Sequence, residues 1–148
     1  MGKLVEALQD PSVRRAVIED GARLVEAEVE KKGGISGLAL KGAFKVAQRV
    51  RHDFVLDVLA KLLPGFAEKL EPFCEARARE APDQPLERYL ADRAGEVADA
   101  LLSITDGRAA RAEGPLRATY EKLRPAARRN VEEAVPGIGR ILDRHLGV

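Results

Sequence analysis

The chain has no tryptophan, one cysteine, two histidines and only 4% aromatic residues. Each scarcity removes a class of function. Cys74 alone cannot form an intrachain disulfide, and together with His52 and His145 it falls short of the donors a structural zinc site takes. Neither histidine has an acidic or histidine partner at the spacing of the paired Glu-x-x-His elements that build helical di-iron centres. Large aromatic platforms for stacking a ligand are not expected. Nor does either charge dominate: 25 basic residues face 24 acidic ones, interspersed along the chain, for a net charge of +1. No strong nucleic-acid signal follows from that balance, nor a strong pull toward anionic lipid.

Long apolar runs are missing too. The most apolar stretch, Phe54 to Leu63, is about half the length needed to cross a bilayer and carries Asp57 and Lys61, so no transmembrane segment is expected. The opening residues hold no apolar run of signal-peptide length, since Asp10 and Pro11 end that segment early. With an unpaired thiol set in an apolar helical stripe, the expectation is a reducing, cytoplasmic setting and an inert, buried Cys74.

What remains is 148 residues, 45% hydrophobic and 33% charged, a composition that supports one ordered core without metal or disulfide. The apolar residues, mostly Ala, Leu and Val, recur at three-to-four spacing and show no sustained alternation. The expectation is therefore an all-α, single-domain bundle over residues 1–148 with about seven to eight helices. After a short opening helix, Asp10-Pro11-Ser12 supplies a cap and a first-turn proline for a helix ending near Lys32, with the stripe Val13, Val17, Ile18, Leu24, Val25 and Val29. Gly33 and Gly34 stop it, and Ser36 can cap a second long helix to about Arg51.

Asp53 then caps a short helix, Phe54 to Leu63, that is apolar almost all round and therefore belongs to a core or a subunit contact. Phe54, Val58 and Leu62 mark one edge of it as the candidate interface. Pro64 is read as the start of another helix carrying Phe66, Leu70, Phe73 and Cys74. Ala81 to Pro85 is the clearest loop. Leu86, Leu90, Ala94, Val97, Leu101 and Ile104 mark one helix, which Asp106-Gly107 ends or kinks. Pro115, Pro125 and Pro136 divide the tail into three short helices. The stretch from Arg49 to Phe66 is similar to that from Lys122 to Ile138, each running into a Pro-Gly pair. A duplicated helical hairpin would give that pattern, and so would coincidence.

No catalytic constellation emerges, and the sequence points away from an enzyme. His52 reads as a turn residue, and His145 as a favourable charge at a helix C-terminus. The glycines of Gly33-Gly34-Ile35-Ser36-Gly37 resemble an anion-binding turn, but no P-loop tripeptide follows them and no strand precedes them, so a capped helix break is the simpler reading. Gly34 to Gly37 also matches the GXXG loop of KH domains, whose strands this chain lacks. Lys41, Lys45 and Arg49 form a basic ridge, the candidate anion contact. The pairs Glu28-Glu30 and Glu132-Glu133 read as surface charges.

Leu24-Val-Glu-Ala-Glu-Val29, Gly34-Ile-Ser-Gly-Leu-Ala-Leu-Lys41, Leu63-Pro-Gly-Phe66 through Leu70-Glu-Pro-Phe73, and Glu96-Val-Ala-Asp-Ala-Leu-Leu102 together resemble an uncharacterised family of small all-helical bacterial proteins. The resemblance implies a helical domain and assigns no activity, cofactor or site residue.

Three functions stay open. The first is a non-enzymatic interaction or scaffold module, docking an unknown protein partner or self-associating as a homo-oligomer through Phe54, Val58 and Leu62. The second is a carrier holding an apolar or lipid-like small molecule between short helices. The third is weak binding to an anionic surface, nucleic acid or membrane, through Lys41, Lys45 and Arg49.

Overall fold

Apolar columns at helical spacing leave this chain one way to bury them, by packing helix on helix, and a computed structural model describing residues 2–31 and 54–146 is helical throughout. Six helices occur among the described residues: α1 Lys3–Ala7, α2 Pro11–Lys31, α3 Phe54–Glu80, α4 Leu86–Ala91, α5 Ala94–Ala110 and α6 Gly114–Leu146. No strand occurs among them. The expected helix from Ser36 to Arg51, the glycine turn at Gly33 to Gly37, Lys41, Lys45, Arg49, His52 and the Asp53 cap all lie outside the described residues.

Among the described residues, six helices stand where the expected division at the prolines was finer. Pro64 sits inside α3, and Pro125 and Pro136 inside α6, where each was expected to open a new helix; Pro72 also lies inside α3. An interior proline removes one backbone hydrogen bond and costs about 3 kcal/mol. Here neighbouring helices hold the flanks. Beside Pro125, Arg124 and Arg128 are fixed to Asp106 and Asp99 of α5. Beside Pro64, Gly65 lies close against Ile104 of α5.

The opposite error falls at Asp92 and Arg93, where one expected helix is two. Arg93 leaves helical geometry with φ −122° and ψ 28°. Its guanidinium donates to the Tyr89 carbonyl at 3.1 Å and lies 3.7 Å from the centroid of the Tyr89 ring. Asp106-Gly107 neither ends nor divides α5. The Asp10 cap does form, its carboxylate accepting the Ser12 N–H at 2.8 Å in front of Pro11. The loop from Ala81 to Pro85 forms as well, held by Arg77, which donates to the Pro82 and Gln84 carbonyls.

Helices of five and six residues do not persist alone in water. Both short helices here are closed by a carboxylate from a long one. Glu71 of α3, itself buried, accepts the Val5 N–H of α1 at 2.9 Å. Asp143 of α6 accepts the Leu86 and Glu87 N–H groups of α4 at 2.9 and 3.0 Å. Each also sinks leucines into the core, with Leu4, Leu86 and Leu90 fully buried and Leu8 nearly so.

Cys74 joins the same core at 6% exposure. Burial, reinforced by the nearby Glu71 carboxylate, pushes its thiol up to about 12. Because the thiolate is the nucleophile, native Cys74 is expected to alkylate at least about a hundredfold more slowly than a free thiol, and at full speed in denaturant. A time course of iodoacetamide labelling read by mass spectrometry checks this, and rapid labelling of the native protein would contradict it.

Candidate functional site

Helix α6 is the spine against which α2 and α5 are tied by charged groups at their edges. Asp20 of α2 receives Arg144 at 3.2 Å and is paired with His145, both in the last turn of α6. A turn further along α2, Leu24 lies against Gly137, so closely that a Cβ there would stand 2.5 Å from its terminal methyl. The two helices therefore run antiparallel. On the other side, Arg128 binds Asp99 at 2.8 and 3.2 Å, and Arg124 grips Asp106 with two bonds of 3.0 Å. Tyr120 donates to Asp106 at 2.6 Å and lies 2.8 Å from the Thr105 hydroxyl.

The space between these helices is not filled. A cleft of about 420 Å³ runs between α2, α3, α5 and α6, and its lining is almost wholly hydrocarbon. Val17, Ile18 and Leu24 supply one wall, Leu59, Leu63 and Phe66 another. Among the described residues, only Glu28, Thr105 and Asn130 bring polar side chains to it. Glu28 is no surface charge: its side chain is 12% exposed and receives Lys31 at 2.9 Å. Of the other carboxylates taken for surface charges, Glu132 pairs with Arg128.

The candidate interface falls beside this cleft. Val58 and Leu62 are half-buried on α3, while their neighbours Leu59 and Leu63 face the cleft; Phe54 opens the helix, and its side chain lies outside the described residues. The candidate anion contact of Lys41, Lys45 and Arg49 lies outside them altogether. His145, expected as a charge at a helix end, stands in the last turn of α6 with Asp20 as its partner. The lining in α2 includes Val17, Ile18, Leu24 and Val25, which helical spacing marks as an apolar stripe without marking it as a cleft. The signal that the stripe does more than fill a core was its width, two apolar columns where one suffices. Among the described residues no helix is long and apolar enough to cross a membrane, and no group of His, Cys, Asp or Glu is placed to hold a metal ion.

The pairing of Asp20 with His145, and the charges of Arg144 and Arg23, hold its carboxyl below the usual 3.8. Asp106 is held down by its hydrogen bonds from Arg124 and Tyr120, and Asp99 by Arg128. A carboxyl depressed by folding stabilises the protein above its unfolded pKa, and that contribution is lost as pH falls through the folded value. Stability is therefore expected to decline below about pH 4, with α2 and α5 loosening from α6. Thermal midpoints across the acid range check this, and Asp20→Ala should shallow the decline. An unchanged acid limb in that variant would mean the α2–α6 tie contributes nothing.

The model of a family described as "Family of unknown function (DUF6918)" matches residues 4–146, in agreement with the resemblance read from the helical stretches. Comparison with curated proteins and with solved structures gives no match.

Proposed function

The chain belongs to that family of unknown function, and from this premise we propose that it is a carrier of an apolar, lipid-like small molecule held in the cleft between α2, α3, α5 and α6. The observation that carries the reading is the cleft itself, about 420 Å³ walled by aliphatic side chains and Phe66. Apolar surface of that extent is more stable covered than wet. An apolar cavity of about 150 Å³ accommodates benzene, so this one has room for roughly fifteen carbon atoms.

The walls also repeat. Leu59 and Val131, Phe66 and Ile138, and Leu70 and Leu142 all line the cleft, and the members of each pair are separated by the same interval along the chain. The same interval separates Pro64-Gly65 from Pro136-Gly137 and the capping Glu71 from the capping Asp143. We read this as a duplicated helical unit whose two copies face one another across the ligand. Of the similarity between Arg49–Phe66 and Lys122–Ile138, the part from Arg49 to Asp53 lies outside the described residues.

Native mass spectrometry of freshly purified protein, paired with titration of the uncharged dye Nile red, tests the carrier reading. The expected result is a retained apolar adduct or saturable dye binding, with binding lost in Ala134→Phe, which fills the cleft from α6. Dye binding undiminished in a folded Ala134→Phe, or no binding by the wild type, would overturn it. A second reading, self-association beside the cleft, is favoured by Leu56, 37% exposed on the same turn of α3 as Val58. A ligand-free dimer in the same mass spectrum would select that reading instead.

A further inference from the structure

Leu116, Leu123, Asn130 and Gly137 follow one another at equal steps of two turns along α6, so they form one column on that helix. Its C-terminal part is inside the molecule, where Gly137 meets Leu24 of α2 and Asn130 lines the cleft. Toward the N-terminus the column emerges: Leu123 is 59% exposed and Leu116 68%. Among the described residues, the exposed large hydrophobics are Leu56, Leu116 and Leu123, and two of these three stand here. Basic side chains surround the same end. Between Gly107 and Leu123, Arg108, Arg111, Arg117 and Lys122 are exposed, against Glu113 and Glu121. Arg117 and Lys122 adjoin Leu116 and Leu123 in sequence, about 100° round the helix, whereas Glu121 falls on the far side from both leucines. The nearby carboxylates Asp99 and Asp106 are already taken by Arg128 and Arg124.

We infer that this end of α6 is a docking surface for an anionic lipid bilayer, with Leu116 and Leu123 entering the boundary between headgroups and acyl chains and the four basic residues meeting the lipid charges. Charge selects the occupant. Arginine and lysine stems lie along an apolar surface while their charged ends reach the headgroups. A second copy seated on the same face would set these cations against their own kind. A nucleic acid would satisfy the cations and leave the leucines in water. Two leucines and a small surplus of cations give reversible attachment rather than anchoring. The inference goes beyond the carrier reading and does not require it, since the surface is on the outside of α6; where both hold, the leucine column leads from the bilayer to the cleft.

Co-sedimentation with vesicles of phosphatidylcholine alone, and of phosphatidylcholine and phosphatidylserine in equal parts, tests the inference. The protein is expected to bind the phosphatidylserine vesicles about tenfold or more tightly than the neutral ones, and to lose that preference in high salt. Leu116→Gln with Leu123→Gln should abolish binding and leave the circular dichroism spectrum and thermal midpoint nearly as they were, because both side chains are exposed and glutamine is a good helix former. Arg117→Glu with Lys122→Glu keeps the leucines and should remove the preference for phosphatidylserine. Failure of the wild type to bind either vesicle, or equal binding to both, overturns the inference. So does phosphatidylserine binding that survives in either folded double variant, which would place the lipid contact elsewhere on the chain. A dimer in light scattering that the leucine variant dissociates, without vesicle binding by the wild type, overturns it in favour of a second copy.

Discussion

Gly139→Ala is expected to destabilise the protein by about 3 kcal/mol or more, the reverse of what the same change does in an ordinary helix. In most helix interiors, alanine in place of glycine gains roughly 0.5–1 kcal/mol. At Gly139 a Cβ would stand 2.5 Å from the Glu87 Cα, 2.7 Å from its nitrogen and 2.8 Å from the Leu86 carbonyl oxygen. These are backbone atoms, which no change of rotamer can move aside. They also belong to the turn of α4 that Asp143 caps, so shifting them breaks the two hydrogen bonds that hold α4 to α6. Gly107, with nothing within 4 Å of its would-be Cβ, is the control and should show the ordinary gain on substitution. Denaturant midpoints of both variants give the comparison. Equal behaviour of the two would mean that α4 does not lie against α6 as described.

Leu4→Ala is expected to cost about 2–5 kcal/mol, although it falls in a five-residue helix near the start of the chain, where substitutions are usually harmless. Leu4 is completely buried, in one cluster with Ala67, Leu70 and Cys74 of α3. For a domain of this size the corresponding loss is roughly 4–20 °C in thermal midpoint. Leu123→Ala removes the same atoms from a residue 59% exposed on α6 and should change stability by no more than about 0.5 kcal/mol. Thermal melts followed by circular dichroism read the difference. A Leu4→Ala midpoint matching that of Leu123→Ala would show α1 to be frayed and the Glu71 cap idle.

The class of fold was legible because burying an apolar column at helical spacing requires the same arrangement wherever the helix ends. Local punctuation was legible where it was local: Asp10 caps through its near neighbour Ser12, and the loop from Ala81 to Pro85 is marked by its own prolines and held by Arg77, one turn before it. Pro64, Pro125 and Pro136 misled because their cost is local and its compensation is not. The arginines that flank Pro125 bond to α5. The break at Arg93 escaped notice because the leucine spacing runs on through it, and only the fold of Arg93 over Tyr89 marks the stop. Of the candidate site, the lining side chains were visible as apolar stripes. Whether a stripe is filled or left as a cleft depends on how far apart the helices stand. Spacing along one helix carries no record of that distance.

The carboxylate caps have a consequence for the chain as it leaves the ribosome. The Val5 N–H of α1 waits for Glu71, 66 residues later, and the Leu86 N–H of α4 for Asp143, 57 residues later. At roughly 5–20 residues per second, the interval from Leu86 to Asp143 is about 3–11 s of synthesis. Throughout it α4 exists without the groups that close its first turn. Asp143, Arg144 and His145 emerge together, and with them the cap on α4 and the ties from α6 to Asp20. The last turn of α6 thus supplies the partners of two separate neighbours, α4 and α2.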